Sequence, residues 1–371
     1  LAVSGQIAAH FACIARRMAS VPCDIPAIRA VLLGWYDAHA RELPWRAAPG
    51  DPAVRDPYRV WLSEVMLQQT TVPHATPYFR TFLARWPTVG DLAAAPDAEV
   101  MAAWAGLGYY ARARNLLACA RAVSVHHGGV FPDTEAGLLA LPGVGPYTAA
   151  AVAAIAFERP ANVVDGNVER VMARLFAVEM PLPAAKPVLK RLAASLIADD
   201  RPGDWAQALM DLGATVCRPR MPLCDQCPLI EHCAGFAGGN PERYPLKAAK
   251  TDRPRRFGTA FVLFDDQGRV GLVRRPDKGL LGGMLGLPTS DWGSPDEAVV
   301  PPAPADWREA GTITHVFTHF ALTLTVQTAA AQGNFIWTPP ERALADLPTV
   351  FRKALALAVD GGDTARHPSA G

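Results

Sequence analysis

Four of the chain's seven cysteines crowd into one stretch, TVCRPRMPLCDQCPLIEHC. They are Cys217, Cys224, Cys227 and Cys233, separated by six, two and five residues. Four thiols this close must cross-link or hold a metal, and compartment decides which. The opening LAVSGQIAAHFACIARRMASVPCD carries its basic residues late, whereas a signal peptide places charge first and an apolar core after it. No apolar run is long enough to span a bilayer. A cytoplasmic chain keeps its thiols reduced, so the quartet reads as a metal site. One CxxC flanked by single cysteines departs from the paired CxxC of zinc ribbons, and thiolates also hold iron–sulfur clusters. The chemistry alone leaves both open. Cys13, Cys23 and Cys119 read as ordinary small residues.

The chain has 371 residues, half of them apolar, enough for two domains with sizeable cores. A net charge of +1 gives no global sign of a polyanion partner, so a nucleic-acid surface would have to be a local patch. Residues 25–236 are predicted helical: apolar positions recur at three- and four-residue steps in AIRAVLLGWYDAHA and PVLKRLAASLIADD. Residues 237–256, polar and proline-broken, are expected to be a linker. Residues 257–360 switch to strand patterning, with FGTAFVLFDDQGRVGLVRR as two strands about a DDQG turn. Residues 1–24 and 361–371 are expected to be a disordered extension and tail.

Three helical stretches carry chemistry. In LPGVGPYTAAAVAAIAF, Gly143 and Gly145 precede a helix and follow another, a hairpin whose backbone N–H groups can grip phosphate. In VVDGNVERVMARLF, Asp165 and Asn167 precede a helix; either one can be an N-cap, or Asp165 a carboxylate held by backbone donors. In YRVWLSEVMLQQTTV, Glu64 sits in an almost wholly apolar turn, with Gln68 four residues on along the expected helix. Burial there raises its pKa and suits it to general-acid work. Two carboxylates of unlike environment suit cleavage of a glycosidic bond, and a phosphate-gripping hairpin beside them makes the glycoside a nucleotide.

Residues 25–236 resemble the helix–hairpin–helix DNA glycosylases: LPGVGPYTA is similar to their hairpin and VDGNVERV to their aspartate segment. The cysteine spacing resembles the [4Fe-4S] loop of the endonuclease III group. WLSEVMLQQTTV and GLGYYARARNL resemble the adenine glycosylases of the MutY type. The resemblance implies a mainly α glycosylase domain with a [4Fe-4S] cluster on Cys217, Cys224, Cys227 and Cys233 (loop 217–233). It implies a monomeric, cytoplasmic enzyme at the bacterial nucleoid. Its partner is duplex DNA with adenine opposite 8-oxoguanine or guanine. It gives Glu64 the protonation of adenine N7 and Asp165 the sugar cation or its covalent capture. Tyr147 supports that chemistry and Asn167 orders the site. Gln68, Gln69 and Tyr109 pack around the lesion strand, and Arg41 and Arg46 lie near the flipped base. Tyr147 stands where endonuclease III has a Schiff-base lysine; a phenol cannot do that chemistry, so strand cleavage is not expected.

Residues 257–360 resemble a Nudix fold, as in GLLGGMLGLP, giving a smaller α+β domain. HVFTHFALTL resembles the family's 8-oxoguanine loop, with Phe317, Thr318 and His319 where Phe-Ser-His is common. TSDWGSPDEAVVPPAPADWREAG lacks the glutamate-dense helix of a Nudix hydrolase, which implies a reader without hydrolysis. A glycosylase for oxidised pyrimidines or G·T thymine, and a non-enzymatic damage binder, are the alternatives.

Overall fold

A computed structural model describes residues 24–51, 55–248, 253–276, 279–294, 299–317 and 319–363. The chain divides into two compact units, residues 1–248 and 249–371. The expected N-terminal extension and Thr318 lie outside the described residues, Asp24 apart.

The first unit is helical: α1 Ile25–His39, α2 Pro57–Met66, α3 Val72–Arg85, α4 Val89–Ala94, α5 Asp97–Trp104, α6 Ala111–His127, α7 Glu135–Leu139, α8 Pro146–Phe157, α9 Gly166–Leu175, α10 Lys186–Ala194, α11 Pro202–Asp211 and α12 Ala234–Ala237. Local chemistry sets several starts. Asp24 and Asp56 cap α1 and α2, each with proline in the first turn, where its missing N–H costs nothing. Thr88 and Asp91 form a reciprocal capping box on α4.

The axle of this unit is α8. Thr148 through Ala154 are almost wholly buried, and their small side chains let α2, α7 and α11 pack closely around them. That arrangement brings Glu64 of α2, Tyr147 of α8 and Met210 of α11 together. Just beyond Met210, α11 runs into a π-helical turn, Leu212–Val216, of the kind that often marks a functional site. Gly213 is required within it: a Cβ there would lie 2.6 Å from the Asn167 Cβ.

The stretch expected as a linker is shorter than its composition suggests. Tyr244 is buried, Leu182 and Lys247 form a bridge, and residues to Ala248 belong to the first unit. Arg255 and Arg256 already stand in a strand. Most of the segment is exposed, but Arg174 holds it to the first unit through the Tyr244 carbonyl.

The second unit is a sheet with two helices. Its strands are β1 Arg255–Phe264, β2 Val270–Arg274, β3 Leu285–Gly286, β4 Arg308–Val316, β5 Ala321–Ala330 and β6 Ile336–Thr338; its helices are α13 Pro340–Asp346 and α14 Thr349–Asp363. The order is β3-β2-β1-β5-β4, with β6 also on β2. β1 and β5 run parallel along their whole lengths, and β4 pairs antiparallel with β5 through an irregularity at Glu309/Gly311. Leu322, Leu324 and Val326 bury one face with Phe351, Ala354 and Leu355 of α14. The DDQG turn closes as expected, its Asp265 accepting from the Gln267 and Arg269 amides. The last helix runs three residues into the expected tail. Among the described residues between β3 and β4 there is no helix.

Candidate active site

A cavity of about 340 Å³ in the first unit is lined by Glu64, Tyr147, Asp165 and Asn167, with Arg41, Arg46, Gln68 and Gln69. Residues distant in sequence thus share one chamber.

Glu64 is 7% exposed on α2. Burial raises its pKa above the usual carboxylate range; the Tyr147 hydroxyl and Arg46 pull it down in part, and the charge of Asp165 adds to the rise. The Tyr147 hydroxyl donates to Glu64 Oε2 at 2.8 Å and lies 3.4 Å from Met210 Sδ. Its own pKa is raised well above normal, by burial and then by Glu64, so it is a fixed donor at neutral pH.

Asp165 is the N-cap of α9: its Oδ1 accepts from the Val168 amide at 2.7 Å and its Oδ2 from the Asn167 side chain at 2.8 Å. Capping and cavity lining therefore coincide in one carboxylate. Arg170 fixes Asn167 in turn, donating to its Oδ1 and to the Gly213 and Cys217 carbonyls. The apolar side of α9, including Val168, Val171, Met172 and Leu175, is buried.

Arg41 and Arg46 reach the cavity through a residue the sequence reading missed. Asp211, fully buried, accepts from both at 2.6 Å. Burial alone would raise this carboxyl, but Arg46 and then Arg41 outweigh it and hold it below the usual range. Gln207 and Met210 on the same helix also line the chamber; the polar Gln207 in an apolar helix was a signal that could have been read.

Gln68 departs from the expected helical face. α2 ends at Met66, and Gln68 sits in the turn beyond, donating to Thr148 Oγ1 at 3.4 Å. Gln69 and Tyr109 are exposed and both hold left-handed backbone (φ 58° and 49°), a strained state for residues with side chains. Of the hairpin glycines, Gly143 has φ +70° and no room for a Cβ against Asn115, whereas Gly145 caps α8 in open space. No side chain caps α8, so its first amides remain available to an anion.

The four clustered thiols line one small cavity with Arg174, Val216, Ile230 and Phe236, and none is in a disulfide. Among the described residues no three His, Cys, Asp or Glu side chains converge as a single ion requires. Four thiols around one cavity are a donor set that suits a thiolate-held metal group. Burial pushes Cys227 up to about 12 and raises Cys224 and Cys233. Arg174, buried on α9, donates to Cys217 Sγ at 3.3 Å and to the Arg218 and Pro219 carbonyls. It ties the Asp165 helix to the cysteine loop.

In the second unit Phe317 stacks on Trp292 with ring centres 5.8 Å apart and packs edge-on to His315 at 4.6 Å. His319 is exposed. Burial, then Lys353, lowers the His315 pKa, so it faces its neighbours neutral.

A buried acid and a capped carboxylate on helices around a glycine hairpin are the working parts of a helix–hairpin–helix base-excision glycosylase. In agreement, residues 62–195 match the HhH-GPD superfamily of base excision DNA repair proteins, and residues 259–357 match a NUDIX domain. The fold is similar to that of a thermostable thymine-DNA glycosylase (TM-score 0.52, 31% identity, 58% of this chain and 97% of that one). Human adenine DNA glycosylase is 37% identical over 84% of this chain and 68% of its own length. The Schizosaccharomyces pombe adenine DNA glycosylase is 30% identical over 84% of both, and that of Mycolicibacterium smegmatis is 43% identical over 63% of this chain and 79% of its own. The chain belongs to the adenine DNA glycosylases.

Proposed function

We propose that this glycosylase flips adenine out of duplex DNA where it faces 8-oxoguanine or guanine, and hydrolyses its N-glycosidic bond without cutting the strand. The observation that carries the reading is Glu64: a buried carboxyl with a raised pKa in the chamber that Asp165 lines. Adenine is a poor leaving anion. A proton from Glu64 to N7 makes it a neutral leaving group, and the Asp165 carboxylate faces the sugar cation that forms, or captures it. Asn167 and Val168 hold that carboxylate still. Flipping unstacks a base at a cost of a few kcal/mol, least at a mispair; Gln68, Gln69 and Tyr109 fill the gap. Gly143, Gly145 and the free amides of α8 take the backbone phosphate. Phe317, Thr318 and His319 read the damaged guanine.

The test is single-turnover base release from three duplexes: adenine opposite 8-oxoguanine, thymine opposite guanine, and an oxidised pyrimidine opposite guanine. Fast release of adenine alone, with breaks only after alkali, is expected. Release from another duplex, or an enzyme–DNA adduct trapped by borohydride, overturns the reading.

Tyr147→Phe gives a pH test. The tyrosine's hydrogen bond lowers the Glu64 pKa, so its loss raises that pKa further. The alkaline limb of the pH–rate profile is therefore expected to move to higher pH, while the maximal rate falls. A limb that stays put or moves down removes the Tyr147–Glu64 coupling.

The four thiolates would hold a [4Fe-4S] cluster, a structural group that ties the loop to Arg174. Cys227→Ser is expected to lower bound iron and acid-labile sulfide together, and the melting temperature with them. Stoichiometric zinc without sulfide in the wild type would reverse the assignment. The reading includes a cytoplasmic location, where thiols stay reduced.

A further inference from the structure

Two strained loops meet beside the cavity, one bearing Gln69 and the other Tyr109, and a single side chain joins them. Arg112, in the first turn of α6, donates to the Gln68 carbonyl in the first loop at 2.6 Å and to the Val65 carbonyl in the last turn of α2 at 3.1 Å. It also donates to Leu107 at 2.9 Å in the second, and its guanidinium lies over the rings of Trp104 (5.3 Å) and Tyr109 (5.7 Å).

Its position is costly. A helix N-terminus repels a cation, and the Arg112 Nε is buried without a partner. What Arg112 gains lies outside its own helix: it takes orphan carbonyls at the end of α2 and binds the next loop to them. The Tyr109 loop is braced from behind as well, because Tyr78 donates to the Ala105 carbonyl and leaves no room for a Cβ at Gly106. A simple cap for α2 needs only Val65 and Gln68. The bonds to Leu107 and the stack on Tyr109 serve the second loop.

We infer that Arg112 is a positioning residue that fixes Gln69 and Tyr109 relative to each other, so that both enter the stack together when adenine leaves it. The inference rests on the glycosylase reading above. It concerns flipping and leaves the bond-breaking groups untouched.

The experiment uses the full chain, wild type and Arg112→Met, on duplexes carrying adenine or fluorescent 2-aminopurine opposite 8-oxoguanine. Single-turnover rate, fluorescence rise on binding, equilibrium affinity and melting temperature are measured together. Loss of charge-assisted bonds to both loops is expected to lower the fluorescence rise and the rate in parallel, roughly 10- to 100-fold in rate. Affinity should stay close to wild type, since phosphate contacts are intact, and the melting temperature should fall only by the cost of the uncapped carbonyls at the end of α2. An unchanged fluorescence rise, or a rate loss that only follows falling affinity and stability, overturns the role. If Arg112→Met does not fold, Arg112→Lys is read by the same criteria, with the lysine's fewer donors expected to restore the fluorescence only in part. Added guanidinium ion at low millimolar concentration is expected to restore Arg112→Gly, and failure to do so also counts against the role. Wild-type protein that releases no adenine overturns the glycosylase reading instead, a result distinct from an Arg112 variant that matches an active wild type.

Discussion

Replacing Glu64 by glutamine is expected to lower single-turnover adenine release by about 10²- to 10⁴-fold, with mispair affinity unchanged. Glutamine keeps the shape and can still accept from the Tyr147 hydroxyl, so the chamber stays packed; only the transferable proton is lost. The pH profile tests the same point. The acid form of Glu64 is the active one, so activity is present below its raised pKa and lost as pH climbs through it. An ordinary glutamate, near 4.3, would have lost its proton well below neutrality. The alkaline limb owed to Glu64 should vanish in the variant.

Stability should move the other way. A carboxyl whose folded pKa is raised contributes stability fully present below its unfolded pKa and lost as pH rises through the folded one. Above that point the wild type holds a buried charge that glutamine lacks. Glu64→Gln is therefore expected to melt higher than wild type at neutral and alkaline pH, and to show no such gain in acid. A variant that melts lower throughout, or turns over normally, removes Glu64 from the acid role.

Much of this site was legible because its signals are local. Glu64 was visible as one carboxyl in an apolar turn, Asp165 as a polar residue before an amphipathic helix, and the thiols as a spacing. The strands about Asp265 followed from alternation and a turn dipeptide. What was hidden depends on contacts far along the chain. Asp211 holds Arg41 and Arg46 across more than 160 positions, and an aspartate at a helix end looks the same without them. Arg112 reads as a charge on a solvated face until two loops are folded against it. Gln68 was placed on a helix that periodicity continues but that the left-handed turn at Gln69 ends. The Tyr244 segment looked like a linker because composition records irregular backbone and is blind to Arg174 beneath it.

Asp165→Asn separates a structural cap from a catalytic charge, because asparagine caps helices about as well as aspartate. The Val168 amide would keep its acceptor, while the new amide would face the Asn167 amide donor to donor, so mispair affinity is expected to hold and the melting temperature to fall by no more than that one lost bond. What changes is the charge facing the sugar. Loss of one preorganised electrostatic partner in a secluded site costs about 10²- to 10³-fold in rate, and loss of a covalent nucleophile costs more. There is a second consequence inside the chamber. The Asp165 charge contributes to the raised pKa of Glu64, so neutralising it lowers that pKa, and the residual activity should fall off at lower pH than in wild type. A drop in rate accompanied by this downward displacement of the alkaline limb, with affinity intact and only a small loss of melting temperature, is the signature of two carboxyls working on one bond. Equal loss of melting temperature, affinity and rate would reduce Asp165 to the cap of α9, and the oxocarbenium would be left to the Glu64 carboxylate, charged only once it has given up its proton, because Arg41 and Arg46 in the same chamber have the wrong sign.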